Sequence, residues 1–207
     1  MISLISKDFM LIKKYLLFTI LYLIAFPIFI YFDGDNKYYL INLFVPFFSQ
    51  AFIIGKMCYI EDSLEVKKFI KTLPIKSNLL VIAKYIETIL ILLVCQIYCV
   101  VINIIVYKSV DISIILKANL IIFIGILIYG ILYLTIYYFK GYFLAQNSFV
   151  IFFALIFVID SLLKKYDIKI ESLINKSNSI LISAVLVAVA VLFIGYFVCI
   201  KLMDRES

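Results

Sequence analysis

Lys84 and Glu87 stand three residues apart near the start of a long apolar stretch, and ionisable side chains inside such a stretch ordinarily mark an ion or proton path. At that spacing they also satisfy each other on a helix surface, and their place close to the end of the run reads as an interfacial ion pair. The other polar groups within apolar stretches are neutral: Asn42, Ser49, Gln50, Gln96, Asn103, Gln146, Asn147 and Ser148. Amides and hydroxyls so placed either hydrogen-bond between helices or line a polar route for a cargo. Ser49, Gln50, Gln96, Asn103 and Gln146 are the candidate path residues. With the apolar stretches nearly free of acids and no His in the chain, a proton-coupled carrier is disfavoured.

The absences narrow the chemistry further. Without His there is no metalloprotease ligand set, no His base for a serine nucleophile and no His-ligated haem. The Gly55-Lys56 pair lacks the rest of a phosphate-binding loop, since Gln50 and Met57 stand where Gly and Ser or Thr are needed. Cys58, Cys95, Cys99 and Cys199 lie in or beside apolar runs without a Cys-x-x-Cys pair, as small apolar fillers do. The chain is therefore expected to hold no catalytic residue, metal or cofactor of its own.

The elements that carry these residues follow from composition. With 66% hydrophobic and 15% charged residues and a mean hydropathy of +1.18, the chain is far more apolar than soluble proteins. A bilayer core of about 30 Å needs roughly 20 apolar residues per helix. Residues 15–32, 38–60, 79–107, 114–139, 142–160 and 180–202 meet that need, giving an all-α polytopic membrane protein, one domain of six transmembrane helices over 1–207. The first run is too long for a signal-peptide core and no small-residue cleavage site follows it, so it is kept as a span.

Six spans place both termini on one side with the loops after the second and fourth helices. That side holds Lys7, Lys13, Lys14, Lys56, Lys67, Lys68, Lys71, Lys76, Lys84, Lys140, Lys201 and Arg205, twelve of the nineteen Lys and Arg. By the positive-inside rule both termini are cytoplasmic. Topology accounts for the net charge of +6, and nucleic acid is not implied as a partner.

Two segments read as amphipathic and non-spanning. In 1–14, Ile2, Ile5, Phe9 and Ile12 recur among charges, as in an interfacial helix lying on membrane lipid. In 161–179, apolar residues alternate with lysines and acids, as in an external helix. The charged island 61–85 is more elaborate: Glu61, Asp62 and Glu65 come early, Lys67, Lys68 and Lys71 late, and Val66, Phe69, Ile70 and Leu73 give an apolar side. Pro74 ends the helix and the chain turns back towards the membrane. A short cytoplasmic helix braced between two spans (61–76 with its turn) suits force transmission from a soluble partner.

An acid-led helix, then Thr72-Leu73-Pro74-Ile75, then Ala83-Lys84-Tyr85 entering a span, after an amino-terminal Lys7-Asp8 and Lys13-Lys14-Tyr15, resembles the small six-helix permeases of the type-2 ABC exporter superfamily. The resemblance extends to permeases that export amphipathic peptides such as phenol-soluble modulins. It implies that the helix is a coupling helix docking on a separate ABC ATPase through Glu61, Asp62, Glu65, Lys68, Phe69, Leu73 and Pro74. It also implies two ATPase copies carrying ATP and Mg, and a second permease, identical or not. Two other readings stand beside it. A substrate-binding membrane subunit of a vitamin importer would reach its ATPase through another membrane protein. A non-transporting membrane protein would have no ATPase at all.

Overall fold

The computed structural model describes residues 2–32, 38–72, 76–107, 111–165 and 178–206. Among them the chain is all-α: α1 Ile2–Leu11, α2 Lys13–Phe32, α3 Tyr38–Glu61, α4 Leu64–Thr72, α5 Ser77–Val106, α6 Ile112–Lys140, α7 Tyr142–Lys165 and α8 Asn178–Glu206. Among the described residues five candidate spans are long and apolar enough to cross a bilayer: Lys13–Phe32, Leu40–Glu61, Ser77–Val106, Ile112–Lys140 and Ser183–Met203. α7 contributes a shorter apolar stretch, Tyr142–Val158, among the described residues.

The boundaries correct the expected ones. The first helix ends at Leu11, and the first long helix begins at Lys13. Glu61 closes α3 and Asp62 lies in the joint, so neither belongs to α4, which starts at Leu64. Of the expected external segment 161–179, residues 161–165 continue α7 and 178–179 open α8; the rest lies outside the described residues, as do Leu73 and Pro74.

α6 is the central helix, with α3, α5, α7 and α8 packed around it. α2 and α8 are peripheral, each with only 17% of its apolar window buried, and α2 turns Leu17, Phe18, Leu21, Ile24, Ile28 and Phe29 outward. Aromatic rings join α3 to α7: Phe47 stacks on Phe149 with centroids 4.7 Å apart, and Tyr129 of α6 stacks on Phe152 at 4.3 Å. Rings in these geometries add to the area they bury.

In a bilayer every backbone group needs an internal partner. Pro27 cannot donate to the carbonyl of Leu23 one turn earlier, and that oxygen instead accepts the Tyr98 hydroxyl of α5 at 2.5 Å. α6 opens on Asp111, whose carboxylate accepts the Ser113 amide at 3.0 Å as an N-cap. It closes at Gly141, with φ 83° and ψ −179°, a conformation that is essentially glycine's alone. This lets α7 start at once, with its first amide, that of Tyr142, donating to Asp62 at 3.3 Å.

The α6–α7 turn, the α3–α4 joint, α1 and the end of α8 thus meet at one end of the bundle. Leu4, Asp62, Gly141 and Met203 all line the same cavity there.

Candidate functional site

Antiparallel α3 and α5 share one register. Asn103 Nδ2 donates to Asn42 Oδ1 at 2.6 Å, and Lys84 Nζ lies 2.9 Å from Glu61 Oε1. The register that satisfies both pairs also sets Ser49 level with Gln96. At 1.5 Å per residue the Asn pair and the Lys84 pair are about 28 Å apart, close to the thickness of a hydrocarbon core. The seam therefore carries a polar layer at each end and one between.

At the charged end, Lys84 Nζ is 2.7 Å from Asp8 Oδ2, 2.9 Å from Glu61 Oε1 and 3.3 Å from Glu87 Oε2. Lys84 is 3% exposed, Asp8 4% and Glu87 0%. This corrects the reading of an interfacial ion pair: the lysine is the hub of a buried cluster gathered from α1, α3 and α5. It also removes the premise that the bundle lacks buried acids. Lys7 backs the other Asp8 oxygen at 3.1 Å. Burial raises the Asp8 pKa, but the Lys84 and Lys7 ammoniums outweigh it and hold the carboxyl below its ordinary 3.8. Asp8 is thus ionised at neutral pH and ties α1 to α5.

A cavity of about 400 Å³ opens above the cluster, lined by Asp8, Glu61, Lys84, Tyr137 and Tyr138 and by Lys67 and Lys68 of α4. Lys67 is taken up by Asp62 at 2.6 Å. Asp62, by also receiving the Tyr142 amide, connects the α4 joint to α7. Any displacement of α4 thus meets two attachments, Glu61 on Lys84 and Asp62 on the start of α7.

Of the residues expected on a docking surface, Glu65 and Lys68 are exposed. Glu61 and Asp62 face inward into the contacts just described. Phe69 lies on α4, one turn beyond Glu65.

Of the expected path residues, Ser49, Gln50, Gln96 and Asn103 are buried on the α3–α5 seam. Gln50 Oε1 and both polar atoms of the Gln96 side chain have no partner among the described residues. Asn119 of α6 joins this layer, its amide reaching the Gln96 carbonyl at 3.4 Å. Gly130 of α6 is what admits Gln50, since a Cβ there would lie 2.1 Å from Gln50 Nε2. Gln146 stands apart from the layer, beside Gly55 and Tyr133. Asp8, Asn119 and Gly130 were missed by sequence reasoning, because their roles depend on helices distant in the chain.

A bundle whose described residues are all-helical, with five membrane-length apolar helices and the ionic contacts among them gathered at one end, is a polytopic membrane protein. The family model described as ABC-2 family transporter protein matches residues 3–204, and the chain belongs to that family. It is thus a membrane permease component of an ABC transporter rather than a catalytic chain. No match was found among curated proteins or among solved structures.

Proposed function

We propose that this permease is the membrane subunit of an ATP-driven exporter that moves amphipathic or antimicrobial peptides outward across a bacterial cytoplasmic membrane. α7 serves as the sixth span beside the five longer ones. The charged end faces the cytoplasm, α1 lies along the inner lipid surface, and α4 is the coupling helix. Two copies of an ABC ATPase carrying ATP and Mg dock on α4 of this chain and of a second permease.

The observation that carries the reading is α4 itself. It is a nine-residue helix at the charged end, it leaves Leu64, Glu65 and Lys68 exposed, and its joint is wired to α5 and α7 through Glu61 and Asp62. A push on α4 reaches the buried seam by those two connections, as a rocking transporter requires. The long coupling segment favours an exporter permease over a vitamin-importer subunit, which has no need of one.

Inside-out vesicles containing the permease and its ATPase are expected to accumulate a labelled amphipathic peptide when ATP is added, and not with a non-hydrolysable analogue. Uptake that is equal with and without ATP would overturn the reading.

A further inference from the structure

The Lys84 cluster does not balance in charge. Asp8, Glu61 and Glu87 all lie within ion-pair reach of one ammonium, and among the described residues the one further cation on these carboxylates is Lys7, which serves Asp8 from a position 36% exposed. Two cations therefore face three carboxyl groups. A buried net charge is far more costly than a neutral acid.

The three acids are not equivalent. Asp8 is held at 2.7 and 3.1 Å by two ammoniums, and Glu61 is held at 2.9 Å. Glu87 is the deepest, fully buried, and neither of its oxygens has a well-aligned hydrogen bond among the described residues. Its 3.3 Å approach to Lys84 is an ion-pair distance without hydrogen-bond geometry.

Among the described residues, the groups on the packed elements around Glu87 do not supply another cation. α1 brings Asp8, with Lys7 behind it, and α3 brings Cys58 and Glu61. α6 brings Tyr138, while Cys199 of α8 is turned to Tyr85 and Thr135. Lys67 of α4 is engaged by Asp62, and Lys68 is exposed.

We propose that Glu87 is a proton-binding site whose occupancy is set by the grip of Asp8 and Glu61 on Lys84. With both acids on the lysine, Glu87 is a neutral carboxylic acid. When movement of α4 draws Glu61 away, Lys84 turns to Glu87, whose O–H bond breaks. Its proton leaves by way of the Asp8 side of the cluster to the cavity, and a Glu87–Lys84 ion pair remains. The lysine stays charged throughout, and one proton is released per subunit. Motion of the α4 joint is thereby linked to pH at the charged end.

Infrared spectroscopy of the purified full-length chain in an ester-free detergent reads this directly and independently of any cargo or ATPase. At neutral pH the wild type is expected to show the carbonyl stretch of one protonated carboxyl, shifted in D2O and lost on alkalinisation. Glu87→Gln removes that band while unfolding at the wild-type temperature, because an amide copies a neutral acid in size. Glu61→Gln, which frees Lys84 for Glu87, reduces the band to less than half at the same pH. The absence of the band in the wild type, or its persistence in Glu87→Gln, overturns the site. A Glu87→Gln chain that unfolds well below the wild type contradicts a neutral Glu87 as well. An undiminished band in Glu61→Gln overturns the linkage.

Discussion

Lys84→Met is expected to destabilise the bundle by roughly 3–5 kcal/mol, the usual cost of leaving buried charges without their partner. Met keeps much of the packing volume but strips Asp8 and Glu61 of the ammonium they share at 2.7 and 2.9 Å. The loss reaches further than one contact, because α1 is fastened to the bundle through Asp8. Cys58, Cys95, Cys99 and Cys199 are all free and buried, so a thiol-reactive dye reports unfolding directly. The melting transition should fall well below that of the wild type. Adding Asp8→Asn and Glu61→Gln to Lys84→Met should recover part of the loss, since a buried ionic set replaced as a whole is often close to neutral. A single Lys84→Met variant that melts with the wild type would show that the cluster carries no stability.

The second large effect is expected on coupling. Phe69→Ala should weaken co-purification of the permease with its ATPase by about 1–3 kcal/mol, the size of an aromatic interface anchor. ATP hydrolysis and peptide export should then separate, with turnover continuing while transport falls. Glu65→Ala, at an exposed position of α4, should have a smaller effect, as rim charges generally do. If co-purification survives Phe69→Ala and Glu65→Ala together but fails when Lys67, Lys68 and Lys71 are neutralised, α4 is a lipid-surface hairpin and not a docking helix.

Much of this architecture was legible in the sequence, because membrane spans are written in length and apolarity alone. The all-α class and the stretches that became α2, α3, α5, α6 and α8 follow from that pattern, while the order of acids before lysines marks a separate helix between α3 and α5. The joint at Ile12 did not, since an amphipathic run leading into a span has no strong punctuation to mark the break. Nor did the true place of Lys84 and Glu87. Their local spacing fits an interfacial pair, and their burial depends on α1, whose Asp8 lies 76 residues earlier in the chain, returning to cover them.

One signal for the seam was present. The polar residues 42, 49 and 61 of α3 are separated by intervals of 7 and 12, and 84, 96 and 103 of α5 by 12 and 7. That mirrored spacing is what an antiparallel pair of helices with matched polar layers requires. Asn119 and Gly130 carry no comparable mark, because a third helix can meet such a seam at many heights.

The central claim is that α4, at the charged end, meets an ATPase in the cytoplasm. Cysteine cross-linking in intact membranes tests it most directly, with a cysteine placed by Glu65→Cys on α4 or by Ser113→Cys at the opposite end of the bundle. Both positions are exposed, and the native cysteines are buried. A short bifunctional thiol reagent is expected to give a permease–ATPase adduct from position 65 and none from position 113. An adduct from position 113, or none from position 65 with the ATPase present, would contradict the account.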